Sequence, residues 1–251
     1  LKTIKNLLDV LTTIKTKQFV LISTIAIYKN PINVFEDNFT PENFINYGKN
    51  RFFAENFIKN ESKIGSIDTT TNILECVNFF KNKKKYKIDR FVYLSSSMVY
   101  GDFKKNKVSE IDKLNPKEIY GTMKLAGEIV TRGLCKFYNI PFSIIRPSAV
   151  YGPTDMNNRV SQIFIQKALK GQIIKIQGKN EKLDFTFVED LANGCILAAT
   201  KNNGKNMTFN ITYGKSETLL NFVKTLSKHF KTLKYKIEKR DKFRPKRGTL
   251  S

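Results

Sequence analysis

Short apolar runs ending in small polar residues alternate along this chain with stretches whose apolar positions recur at helical spacing. The run FVYL from Phe91, closed by Ser95, has the texture of a parallel strand buried on both faces. Ahead of it, Thr70 to Lys84 places Ile73, Leu74, Val77 and Phe80 on one face, which predicts a helix burying that face. Behind it, Tyr120 to Asn139 reads as a long helix with Leu125, Ile129 and Leu134 inward, ending before Pro141. A further strand is expected from Ser143 to Arg146, broken by Pro147. This succession of strand, helix and strand predicts a doubly wound α/β sheet.

Beyond Gly152 the texture changes. NNRVSQIFIQKALKG is an amphipathic helix, IIKIQGKNEKLDFTFV a region of strands and turns, and EDLANGCILAAT a helix opened by acidic residues, as its positive N-terminal end prefers. MTFNIT at Met207 to Thr212 predicts a short strand, and SETLLNFVKTLSKHF a helix capped by Ser216. This part is expected to form a smaller substrate-facing lobe from about residue 152.

One pattern occurs twice. FVYLSSSMVYG at Phe91 to Gly101 is followed by YGTMK at Tyr120 to Lys124, while FVLISTIAIY at Phe19 to Tyr28 is followed by YGKNR at Tyr47 to Arg51. Aligned, Thr24 falls on Ser96, Tyr47 on Tyr120 and Arg51 on Lys124. A strand ending in a hydroxyl, then a helix carrying tyrosine and a cation, is a catalytic layout. Tyr120 and Lys124 are four apart and project from one helix face. A phenol is a poor base at neutral pH: moving its pKa from about 10 to about 7 takes roughly 4 kcal/mol of preference for the phenolate. A lysine ammonium and a cationic nicotinamide both supply that sign of field. Ser96, at the C-terminal end of the neighbouring strand, is where open α/β sheets bind ligands and can share a hydrogen bond with substrate and Tyr120.

Composition narrows the class. The 251 residues can bury a sizeable core, 41% are hydrophobic, and no segment has the roughly 18 to 20 continuous apolar residues that span a membrane. The chain starts at Leu1 without the apolar run of a signal peptide, so its true N-terminus is expected upstream; the abrupt stop after RPKRGTLS suggests a cut at the other end too. Cys76, Cys135 and Cys195 are odd in number and widely spaced, with only His229 to join them. That pattern disfavours a metal site or a disulfide framework and points to a reducing, cytoplasmic setting, with the cysteines as buried small hydrophobes. The net charge of +22 has dense runs at Lys81 to Lys87 and near the C-terminus, yet lysine is spread throughout with abundant Asn, Ile and Phe. Attraction to a phosphate-bearing small ligand is therefore expected rather than nucleic-acid binding.

Residues 65 to 251 resemble an extended short-chain dehydrogenase/reductase of the NAD-dependent epimerase/dehydratase family acting on nucleotide sugars. The matching pieces are SSSMVYG, YGTMK, RPSAVYGP, DFTFVEDLANG and FNIT, in the family's order. YxxxK alone is weak evidence; the joint occurrence is strong. The resemblance implies a Rossmann-like sheet with Tyr120 as acid/base, Lys124 on the nicotinamide ribose and Ser96 orienting substrate. It further implies that Leu94 and Ser95 line the nicotinamide, with Pro147 and Ser148 beneath it, and that Ser97, Arg159 and Arg244 face the nucleotide sugar. Family members often carry arginine before the DFT-like segment, where this chain has Leu183 preceded by Lys182. The 4,6-dehydratases of the family resemble Thr-Asp-Glu at the positions of Ser96, Ser97 and Met98, since eliminating water needs an extra acid and base. Ser97 and Met98 serve neither role well, which favours an epimerase.

No GxGxxG or GxxGxxG occurs in the chain, although a dinucleotide site normally uses such a turn to bring backbone to the pyrophosphate. Residues 1–64 resemble the middle of a second, degenerate family member, and 65–251 an epimerase-like core. The expected protein is a truncated or fused NAD-dependent epimerase (NADP not excluded), or one inactive for want of the glycine loop. Rival expectations are an NADP-dependent sugar-nucleotide reductase and a non-catalytic Rossmann binding module. Its expected partner is a nucleotide sugar, with no nucleic acid, no membrane and a homodimer as an allowed assembly.

Overall fold

The computed structural model describes residues 66–83, 88–153, 155, 159–241 and 244–251. The described chain runs through helix α1 (Ser66–Lys83), strand β1 (Phe91–Leu94), a 3-10 turn (Ser97–Tyr100), β2 (Lys107–Val108), helix α2 (Ile119–Phe137), β3 (Phe142–Pro147) and β4 (Val150–Tyr151). It continues with α3 (Val160–Leu169), β5 (Ile174–Gln177), β6 (Lys182–Leu183), β7 (Thr186–Phe187), α4 (Val188–Thr200) and β8 (Met207–Ile211). The last elements are β9 (Glu217–Thr218), α5 (Leu219–His229), β10 (Tyr235–Glu238) and β11 (Thr249–Leu250). The weaker copy of the pattern, with Thr24, Tyr47 and Arg51, lies outside the described residues.

Contacts divide the chain into two units. One takes the described residues before Ser96 together with Ala126–Ile145 and Cys195–Thr208; the other takes Ser96–Leu125, Arg146–Gly194 and Phe209–Ser251. In the first, β1 and β3 pair in parallel, Phe91 opposite Phe142 and Tyr93 opposite Ile144, within a sheet ordered β1-β3-β8. Because side chains alternate across a strand, these four share one face. That face packs with Ile73 and Leu74 of α1, Cys135 of α2 and Ile140. The opposite face is also buried through Val92 and Ile145, so the strands read as continuous apolar runs. Ser143 is the polar exception, and it is satisfied: its Oγ, with one proton to give, stands 2.7 Å from the Gly204 carbonyl oxygen and 3.0 Å from that of Ala198, and it accepts from Arg90 Nη1 at 3.1 Å.

The second unit has its own core. Alternation in β5 buries Ile174 and Ile176 while Lys175 and Gln177 face out, and the buried pair packs with Phe164 and Ala168 of α3 and Leu219, Val223 and Leu226 of α5. Burying a large aliphatic side chain contributes about 1.5–3 kcal/mol, so this small cluster holds two helices on one strand pair, β5 with β10. A separate cluster of Val99, Tyr100, Val108 and Leu250 backs the 3-10 turn. Tyr100 is fixed there by polar contacts: Arg146 Nη1 donates to its Oη at 2.9 Å, and that hydroxyl donates to Asn210 Oδ1 at 2.8 Å.

Two expectations need correction. Ile129 is 64% exposed rather than inward. Leu125 and Leu134 do pack, half-buried, against the two neighbouring cores, but the fully buried stripe of α2 runs through Lys124, Glu128, Thr131 and Cys135 and is mostly polar, so apolar spacing misplaced Ile129. Helix α5 is capped by Thr218, whose Oγ1 accepts from Asn221 N at 3.1 Å, not by Ser216. Glu217 and Thr218 are occupied first as β9, antiparallel to β6, which delays the helix start; Ser216 instead bonds Thr249.

Candidate active site

Ser96 follows directly on β1 and ends the strand. Its backbone is extended, and its Oγ accepts from Met98 N at 3.2 Å, capping the 3-10 turn that carries Ser97 to Tyr100. Helix α2 begins close to that turn, because Gly121 lacks a side chain: a Cβ there would stand 2.6 Å from the Met98 carbonyl oxygen. The glycine after Tyr120 is thus a packing requirement.

The approach of turn and helix sets the Ser96 hydroxyl near the Tyr120 phenol, where it favours the phenol's anion. One turn later Lys124 is almost fully buried at 1% exposure, its Nζ 5.8 Å from the centroid of the Tyr120 ring. Burial pushes the Tyr120 phenol above its ordinary value; the Arg159 charge, the Ser96 hydroxyl and the Arg247 charge pull the other way. The phenol is therefore protonated at neutral pH, with groups in place that favour its anion.

Arg247 is the residue that sequence reasoning missed. Its Nη1 donates to Ser97 Oγ at 2.8 Å, and burial lowers its guanidinium to about 10, opposed by Glu118 and Tyr120. It stays charged at neutral pH. Arg244, the expected cation of the same run, is exposed and lies 3.8 Å from Asp241. RPKRG holds three cations in succession around one proline and glycine, and no periodicity distinguishes them. Arg159 is exposed just before α3, with Nη1 3.4 Å from the Val150 carbonyl oxygen.

Of the remaining positions, Leu94 ends β1 half-buried. The Ser95 hydroxyl donates to Glu128 Oε1 at 2.5 Å inside the first unit, so its side chain is engaged within the protein. Pro147 ends β3, Ser148 is buried, and Ala149 follows with φ of 32°. Cys135 and Cys195 are free and buried. Among the described residues no group of three His, Cys, Asp or Glu could hold a metal ion, and no helix is long and apolar enough to cross a membrane.

A hydroxyl capping the turn after a strand, near a tyrosine with a buried lysine one turn on, is chemically able to exchange a proton with a carbinol. Residues 33–212 match the family described as NAD dependent epimerase/dehydratase. The chain belongs to that family. A Methanocaldococcus jannaschii relative provisionally named UDP-glucose 4-epimerase is 35% identical over 68% of this chain and 57% of its own length. UDP-glucuronic acid 4-epimerase from Bacillus cereus, solved with UDP-glucuronic acid and NAD, superposes with a TM-score of 0.67 at 28% identity, covering 74% of this chain and 58% of its own. UDP-glucose 4-epimerase from Thermotoga maritima, solved with UDP-glucose, gives 0.64 at 25%, covering 72% and 59%. This epimerase/dehydratase chain therefore spans less than two thirds of each of these relatives.

Proposed function

We propose that this chain carries the reacting half of an NAD-dependent nucleotide-sugar epimerase, with Ser96, Tyr120 and Lys124 as its catalytic set. The observation that carries the reading is Lys124 buried one turn after Tyr120, its Nζ 5.8 Å from the phenol ring, with Ser96 near the phenol on the other side. Tyr120 takes the proton from a sugar hydroxyl and returns it; Ser96 orients that hydroxyl; Lys124 favours the phenolate.

The donor set fits the nicotinamide end of NAD. The Tyr120 hydroxyl and Lys124 ammonium suit a ribose diol, and Leu94, Ser95, Pro147 and Ser148 would lie along the ring, Ser95 through its backbone because its hydroxyl donates to Glu128. NAD, when bound, supplies the hydride acceptor. The glycine turn that usually receives the pyrophosphate has no counterpart in these 251 residues.

On the substrate side, Arg247, with Arg159, would meet the anionic nucleotide sugar, and Arg244 would serve further out. Ser97 accepts from Arg247 and Met98 has no titratable group, which supports epimerisation over elimination of water.

Tyr120→Phe tests the reading with NAD and UDP-glucose, following inversion at the sugar by chromatography. Turnover should fall at least about 100-fold while UDP-glucose still binds. Unchanged turnover would overturn the assignment. Binding of UDP-glucose by a wild-type chain that has no turnover would favour a binding module.

A further inference from the structure

Asp184 is a fully buried carboxylate between β6 and β7 that the catalytic reading leaves unused. Its two oxygens serve two separate stretches of chain. Oδ1 accepts from Gly214 N at 3.2 Å, in the loop after β8, and Oδ2 accepts from Leu250 N at 3.3 Å, in β11. Tyr213 N and the Thr212 side chain lie near enough to lower its carboxyl as well. Burial raises its carboxyl while these hydrogen bonds lower it. A buried acid with this many donors gathers strands that have little pairing of their own.

β11 is such a strand. Among the described residues its two residues pair with Lys107 and Val108 of β2. Arg247 stands three positions before Leu250, and Gly248 is the single residue between Arg247 and β11. On the other side Lys246 is held, its N–H donating to Asp102 Oδ1 at 2.7 Å and its carbonyl accepting from Phe103 N at 2.9 Å. Thr249 adds a second tie to β11, its Oγ1 accepting from Ser216 N at 3.1 Å. A few residues of chain between fixed points leave little slack, so the ends set where Arg247 stands.

We infer that Asp184 is a positioning residue: by holding β11 to the loop at 212–214 it fixes the backbone from which Arg247 reaches Ser97 and the nucleotide sugar. The inference rests on the reading of Arg247 as a substrate-facing cation. An apolar residue at 184 would fill the same space but leave the Leu250 and Gly214 amides without this acceptor, freeing β11 and shifting Arg247.

The test is a double-mutant cycle on the full chain, with UDP-glucose as probe and its dissociation constant read by calorimetry. Wild type, Asp184→Asn, Arg247→Gln and the double variant are compared after circular dichroism shows each folded. Arg247→Gln is expected to weaken binding about tenfold. Asp184→Asn should weaken it about fivefold in the parent and by less than about twofold when Arg247 is already Gln, because it acts through that side chain. Equal losses in both backgrounds, or none in the parent, would overturn the inference. An ineffective Arg247→Gln, or a wild type that does not bind UDP-glucose, would overturn the underlying reading as well. Should Asp184→Asn not fold, Thr249→Val takes its place: coupling to Arg247 supports the anchored strand, and additivity overturns it.

Discussion

Lys124 stands one helical turn after Tyr120, its ammonium 5.8 Å from the centre of the phenol ring and almost wholly removed from water. A buried ammonium is costly unless it is engaged, and the proposed chemistry uses this one to favour the Tyr120 phenolate.

Lys124→Met keeps the length and removes the charge. Turnover with NAD and UDP-glucose should drop about 100-fold, and the limb of the pH–rate profile due to Tyr120 should move to higher pH, because the phenolate loses a stabilising cation. Chemical denaturation should show the fold retained. A profile with the limb unmoved would count against Lys124 acting on Tyr120.

Ser95→Ala removes the donor that a buried carboxylate, Glu128, receives at 2.5 Å. Stability should fall by about 1–3 kcal/mol in urea unfolding. A loss confined to NAD binding, with unchanged stability, would instead make Ser95 a cofactor contact through its side chain.

Ala149 holds φ of 32° in the segment after β3, a conformation that L side chains rarely adopt. Ala149→Gly should stabilise the protein by about 0.5 kcal/mol, the relief of strain exceeding the added freedom of the unfolded chain. The midpoint of urea unfolding checks this; a lower midpoint refutes it.

Burial raises the Cys135 and Cys195 thiols to about 12 from an ordinary 9.0. At pH 8 neither should be alkylated by iodoacetamide in the native protein, and both should react once it is unfolded, as peptide mapping by mass spectrometry would show. The sign for stability follows: the unfolded thiols ionise first, so their contribution is complete below about pH 9 and is lost as pH rises through about 12.

Much of the fold was legible because burial on both faces of β1 and β3 leaves runs such as FVYL, and the amphipathic helices leave spaced apolar residues. Legibility failed on α2. There the buried stripe holds Lys124, Glu128 and Thr131, and apolar spacing pointed to Ile129 on the outside. Ser216 looked like a cap because sequence cannot tell that Glu217 and Thr218 will first pair with β6.

By itself the sequence determined the order of strands and helices, the family, and the local grammar of hydroxyl, tyrosine and lysine. These depend on neighbours a few positions apart, which chain geometry alone brings together. Only the tertiary structure decided that Arg247 rather than Arg244 reaches Ser97, that the Ser95 hydroxyl turns to Glu128, and that Asp184 ties Leu250 to Gly214. Each of these joins residues tens of positions apart, and which partners meet is set by how cores pack.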